Sequence, residues 1–107
     1  MDFDEILKQL KENLLKLVND EYEDFKGSGE KVVNDFLNNS KQKLEKWTNL
    51  LANEMITLEE YEWLLKSQKD LFEMNALYTA GISKIKLERF KNKSIKTIVD
   101  VVTRIVL

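Results

Sequence analysis

The chain has 107 residues, of which 17 are basic and 19 acidic, a formal net charge of −2 and 43% hydrophobic content. That is one ordinary domain, 1–107, and it is too apolar for intrinsic disorder. The absence of Cys excludes a disulfide framework, a thiolate zinc site and a thiol nucleophile, and the absence of His removes imidazole acid–base chemistry and the usual nitrogen ligands of zinc.

No Pro and only three Gly leave little to punctuate a meander of short strands, so the fold class is expected to be all-α. The start, Met1-Asp2-Phe3-Asp4-Glu5, is acidic where a secretory signal is basic, and no apolar run approaches the roughly 18 residues of a membrane span. A cytoplasmic location is the resulting expectation.

From Phe3 onward apolar positions recur at helical spacing in an eleven-residue ladder, Phe3, Leu14, Phe25, Phe36, Trp47 and Leu58. Neighbouring rows run Leu7, Val18, Gly29, Ser40, Leu51 and Tyr22, Val33, Leu44, Met55. An eleven-residue repeat corresponds to about 3.67 residues per turn, close to the natural pitch, so the stripe stays on one face of a straight helix. The phase survives Gly27-Ser28-Gly29, which predicts helix through the glycines, with a kink tolerated there. Eleven-residue amphipathic repeats also occur in lipid-surface proteins such as apolipoproteins; the resemblance is one of period alone.

The best break lies at residues 53–57, where Asn53 offers a left-handed C-terminal cap and Thr57-Leu58-Glu59-Glu60 reads as a capping box. Beyond it Tyr61, Leu64, Leu65, Leu71, Phe72, Tyr78, Ile82 and Ile85 continue a helical stripe, and Glu62 and Lys66 form a favourable pair four apart. The β-branched tail Ser94 to Leu107 keeps its polar residues at a 3–4 spacing, which outweighs strand propensity and predicts helix.

Two arms about a central turn predict an antiparallel hairpin of two long helices, each on the order of 75 Å, with kinks allowed at 27–29 and 81. In that register position i faces about 110 minus i. The acidic cluster Asp20, Glu21, Glu23, Asp24 then meets the basic run Lys84, Lys86, Arg89, Lys91, Lys93, while Gly27 and Gly29 face Ser83 and Gly81. The alternative is that both arms bend and the rod doubles into a compact four-helix bundle.

Residues 1–62 carry 15 acids and 8 bases, and residues 63–107 carry 4 acids and 9 bases, a split of −7 and +5. The basic run from Lys84 to Lys96 could follow phosphates, but an intramolecular match to the acidic cluster is the simpler reading, and nucleic acid is the least favoured partner. Carboxylates at Glu59, Glu60 and Glu62 point in successive directions around a helix, and Ser28 lacks a phosphate-loop context. No catalytic residue, metal or cofactor is therefore expected, and the protein is read as a non-enzyme.

Gln68 and Asn75 lie on the seam of the second arm, where buried polar groups set register. Trp47, Tyr61 and Trp63 cluster around the turn as candidates for partner binding. Ile98, Val102 and Ile105 belong to an apolar face too broad for one opposing arm to cover, which makes them the candidates for self-association. The expected function is thus a helical interaction or scaffold protein that self-associates, as a homodimer, and also holds an unidentified protein partner. The alternative is a peripheral protein that coats a lipid or other hydrophobic surface through its C-terminal amphipathic helix.

Overall fold

Local capping fixes where each helix starts and stops. The computed structural model describes residues 2–21, 26–67 and 83–107, and these form four helices: α1 (Phe3–Glu21), α2 (Lys26–Ala52), α3 (Leu58–Ser67) and α4 (Lys84–Val106). Asp2 opens α1 by accepting the amide of Asp4 at 3.0 Å through Oδ1, and Asp4 and Glu5 place negative charge on the positive end of the helix dipole. Ser83 does the same for α4, its hydroxyl accepting the amide of Lys86 at 3.3 Å.

The turn at 53–57 forms where the sequence places it. Thr57 and Glu60 make both hydrogen bonds of the capping box, Glu60 N to Thr57 Oγ1 at 3.1 Å and Thr57 N to Glu60 Oε1 at 3.0 Å. The left-handed residue is Glu54 (φ 59°), not Asn53. The amides of Met55 and Glu54 donate to the carbonyls of Leu50 and Leu51 at 2.8 and 3.1 Å, the paired closure of a Schellman motif. Asn53 still donates to Asn49 within the helical pattern, so the reversal falls one residue later than the side-chain preference of Asn suggests.

The fold is all-α, and the compact four-helix bundle is the arrangement found. The Cα trace extends 41 Å along its longest axis and 23 and 20 Å across, which excludes a straight arm on the order of 75 Å. The long axis is the length of α2 alone, whose 27 residues at about 1.5 Å each span roughly 40 Å. α1 lies antiparallel to α2, with Asp4 paired to Lys41 at 3.4 Å and Val18 against Gly29. α4 is antiparallel to α1, its Ile105 and Val106 lying beside Ile6, and α3 packs on both α2 and α4. The core runs continuously through Ile6, Leu10, Leu14, Val18, Val33, Phe36, Leu44, Tyr61, Leu65, Ile98 and Val102.

The register of the hairpin survives inside the bundle. Thr48 and Tyr61 share a hydrogen bond of 3.0 Å, close to the i and 110 minus i relation, and Ile6 shares a cleft with Ile105. The single helix expected to run from the first residues through the glycines is instead two antiparallel helices; Gly27 and Gly29 are helical within the first turn of α2, where Gly29 packs on Val18 of α1. A Cβ at Gly29 would stand 2.7 Å from Cγ1 and 3.1 Å from Cγ2 of Val18, whereas one at Gly27 meets nothing within 4 Å. Position 81 and the acidic residues Glu23 and Asp24 lie outside the described residues.

The glycine pair gives opposite expectations. Gly29→Ala should lose about 1–2 kcal/mol, since the β-branched Val18 has little rotamer freedom to yield in a helix, and overpacking outweighs the gain in helix propensity. Gly27→Ala should gain up to about 1 kcal/mol. Urea unfolding of the two variants would read the signs, and equal signs would show that the close approach is unimportant. Ser40 and Ser94 are fully buried, and among the described residues neither hydroxyl has a hydrogen-bond partner. Ser40→Ala and Ser94→Ala should each stabilise the fold by about 1 kcal/mol, seen as a rise in Tm of several degrees.

Candidate interaction surface

The stripe read as excess apolar surface on α4 is used inside the chain. Ile98 and Val102 are fully buried against the other helices, and Ile95 and Val101 are buried beside them. Within the chain, α1 supplies Leu10 and Leu14 and α2 its own stripe to the core that also holds Ile98 and Val102. Ile105, one turn nearer the end of α4, is 39% exposed.

The aromatic candidates around the turn divide. Tyr61 is fully buried, and its hydroxyl is taken up by Thr48, so it acts within the core. Trp47 is half-buried and packs on the core cluster. Trp63 is 67% exposed on α3, because Tyr61 and Leu65 turn inward and residue 63 lies nearly opposite them on a helix of 3.6 residues per turn. Gln68 and Asn75 fall outside the described residues.

The charged groups divide in the same way. Glu62 and Lys66 pair at 3.2 Å, as their spacing predicts. In the basic run Lys86, Arg89, Lys93 and Lys96 are exposed, but Phe90 is buried, and Lys91 is only 2% exposed with Glu88 at 3.9 Å from its ammonium. A run that looks uniformly basic thus turns one cation into the bundle, with its aromatic neighbour Phe90. Between α3 and α4 a groove of about 580 Å³ is lined by Glu62, Lys66, Asn92, Ile95, Lys96, Val99 and Asp100, a mixture of both charges. Among the described residues no three His, Cys, Asp or Glu side chains are grouped so as to hold a metal ion, and no helix is long and apolar enough to cross a membrane.

The tertiary fold creates a surface that the sequence does not announce. The N-terminus of α1 and the C-termini of α2 and α4 meet at one end of the bundle, around a cleft of about 410 Å³ lined by Asp2, Glu5, Ile6, Gln9, Ala52, Ile105 and Val106. Next to it in the chain, Met55 is 70% and Leu107 66% exposed. No one segment carries a signal for this site, because it combines residues from three helix ends, each of which looks like ordinary amphipathic helix. Comparison with known proteins finds no family model that matches the chain, and no curated protein or solved structure that is similar to it. Its class is defined by its own geometry, an all-α bundle in which the described residues form four helices around an apolar opening at one end.

The buried Tyr61–Thr48 contact has a consequence in alkali. Burial pushes the phenol of Tyr61 up to about 12 from an ordinary 10, against the smaller opposing effect of the Thr48 hydrogen bond. The native state holds this proton more tightly than the unfolded chain does. Its contribution is therefore fully present below pH 10, and is lost as pH rises from about 10 to about 12, in all on the order of 2–3 kcal/mol. Phenolate absorbance should show a late-ionising component that is lost in Tyr61→Phe, and that variant should flatten the fall in stability across that window.

Proposed function

We propose that the protein is a non-enzymatic helical interaction protein that self-associates through the outer face of α3. The observation that carries this reading is Trp63, a large aromatic side chain left 67% exposed on a helix whose other large apolar residues are at least partly covered. Tryptophan dominates the energetics of many interfaces, since it removes a large apolar area from water at little cost in rotamer freedom. The flanks of Trp63 favour a second copy. Glu59 and Glu60 precede it and Lys66 follows, so two α3 helices crossing antiparallel about a two-fold axis set the acids of each against the lysine of the other. A chain without His or Cys offers few of the common nucleophiles and bases, which supports the non-catalytic reading.

The reading differs from the sequence-based one in its surface. Self-association cannot use Ile98 and Val102 without opening the bundle, and a lipid coat that relies on the apolar face of α4 meets the same obstacle, because that face is occupied within the chain. Val102→Lys would place a charge in the core and unfold the protein, so it reports on folding and not on assembly.

Sedimentation of the wild type over a wide concentration range should show reversible dimerisation. Trp63→Lys should weaken it by about tenfold or more while moving the folding stability by no more than about 0.5 kcal/mol. A wild type that remains monomeric at every concentration, or a Trp63→Lys variant that associates as the wild type does, would overturn the reading.

A further inference from the structure

The cleft at the opposite termini of α1, α2 and α4 differs from the α3 face in its chemistry. Among the described residues its lining is Ile6, Ala52, Ile105 and Val106 with Gln9, and the charged side chains there are the carboxylates Asp2 and Glu5. The wider end of the bundle, residues 2–5, 53–60 and 104–107, holds six acids, Asp2, Asp4, Glu5, Glu54, Glu59 and Glu60, against Arg104 and the Lys41 that reaches Asp4 from α2. Local structure accounts for part of this charge: Asp2 caps α1, Glu60 belongs to the capping box, and Asp4 pairs with Lys41. Glu5 adds to the favourable charge in the first turn of α1 and is exposed, while the charge of Glu54 and the exposure of Met55 and Leu107 serve no local structure.

We propose that this end of the bundle docks a cationic amphipathic helix of a protein partner. The occupant follows from three features. First, Met55 and Leu107 are exposed and lie within three residues in the chain of the cleft-lining Ala52 and Val106, so an elongated ligand with several anchors at helical spacing can use them together with the cleft, as a small molecule in a pocket would not. Second, the flexible thioether of Met55 adapts to different anchor side chains. Third, the acidic rim selects lysine and arginine on the flanks of the occupant and repels an acidic one, so charge sets both specificity and the rate of encounter. A second copy of this chain is a poor match, because the apolar face of its most basic helix, α4, is buried in its own core.

The inference rests on the reading of the chain as an interaction protein, but not on the α3 contact. Two fluorescent helical peptides test it, sharing one leucine face and carrying either lysine or glutamate on the other, with a scrambled lysine peptide as a third probe. Each is titrated into the full chain by anisotropy. The amphipathic lysine peptide should bind, with an affinity that falls as salt is added, and the glutamate and scrambled peptides should bind at least about tenfold more weakly. Glu5→Lys combined with Glu54→Lys should weaken the lysine peptide about tenfold, and Ile105→Asp, at a partly exposed position, should do the same without loss of helicity. Trp63→Lys should leave peptide binding unchanged.

Equal binding of all three peptides, or binding that ignores both sets of end variants, would overturn the proposal while leaving self-association through Trp63 standing. If the end variants abolish dimerisation instead, the occupant is a second copy. If the chain floats with neutral phosphatidylcholine vesicles and Ile105→Asp prevents it, the occupant is a lipid surface. Either result also overturns the partner helix.

Discussion

The close contact between Val18 and Gly29 is the constraint on which the rest of the bundle depends. With no Cβ at residue 29, α2 approaches α1 closely enough for Leu10, Leu14 and Val18 to enter the same core as Val33 and Phe36. That approach brings α1 beside α4 as well, and Ile98 and Val102 are closed from water by an arm that would otherwise extend away from them. Burial of these side chains is worth about 25 cal/mol per Å² removed from water, so the contact at a single glycine releases a much larger stabilisation along the whole interface.

The second reversal works on a different principle. At the α2–α3 turn the chain has no glycine, and Glu54 takes the left-handed conformation at a cost of about 1–2 kcal/mol. Backbone closure onto Leu50 and Leu51, the reciprocal Thr57–Glu60 bonds and the Thr48–Tyr61 hydrogen bond offset that strain. This turn is thus stabilised by nearby polar groups, which is why it has a strong local signature.

The polar residues inside the bundle have a related origin. Gly29 and Ser40 are successive rungs of one eleven-residue row, Val18 is the rung before them, and all three positions are buried. Small side chains in that row let helices approach closely, and the hydroxyls of Ser40 and Ser94 are buried as a consequence of their size. Lys91 is the larger exception. Its place on the same face as Phe90 and Ser94 follows from helical spacing, yet its charge makes the whole segment look like a solvated basic surface in the sequence. What remains exposed after this packing, Trp63 on α3, Ile85 near the start of α4 and off the stripe where the sequence placed it, and Met55, Ile105 and Leu107 at one end, is what leaves the molecule surfaces for contact.

Helical periodicity by itself determined the all-α class, most of the inward stripe of α1 and α2, the 53–57 turn and the Glu62–Lys66 pair, because these depend on residues within a few positions of one another; it misplaced Ile85, which is exposed. It also determined the local register that joins Thr48 to Tyr61. It could not decide whether the first arm runs straight or folds, since a ladder with nearly the natural pitch keeps the same face inward on both sides of a reversal. The row Leu7, Val18, Gly29 reads alike along one straight helix and across two antiparallel ones. Only the tertiary structure settled that choice, and with it the covering of Ile98 and Val102, the interior place of Tyr61 and Lys91, and the cleft where three helix ends meet. Those outcomes depend on which faces bury one another at long separation in the chain, and a one-dimensional pattern carries no term for that.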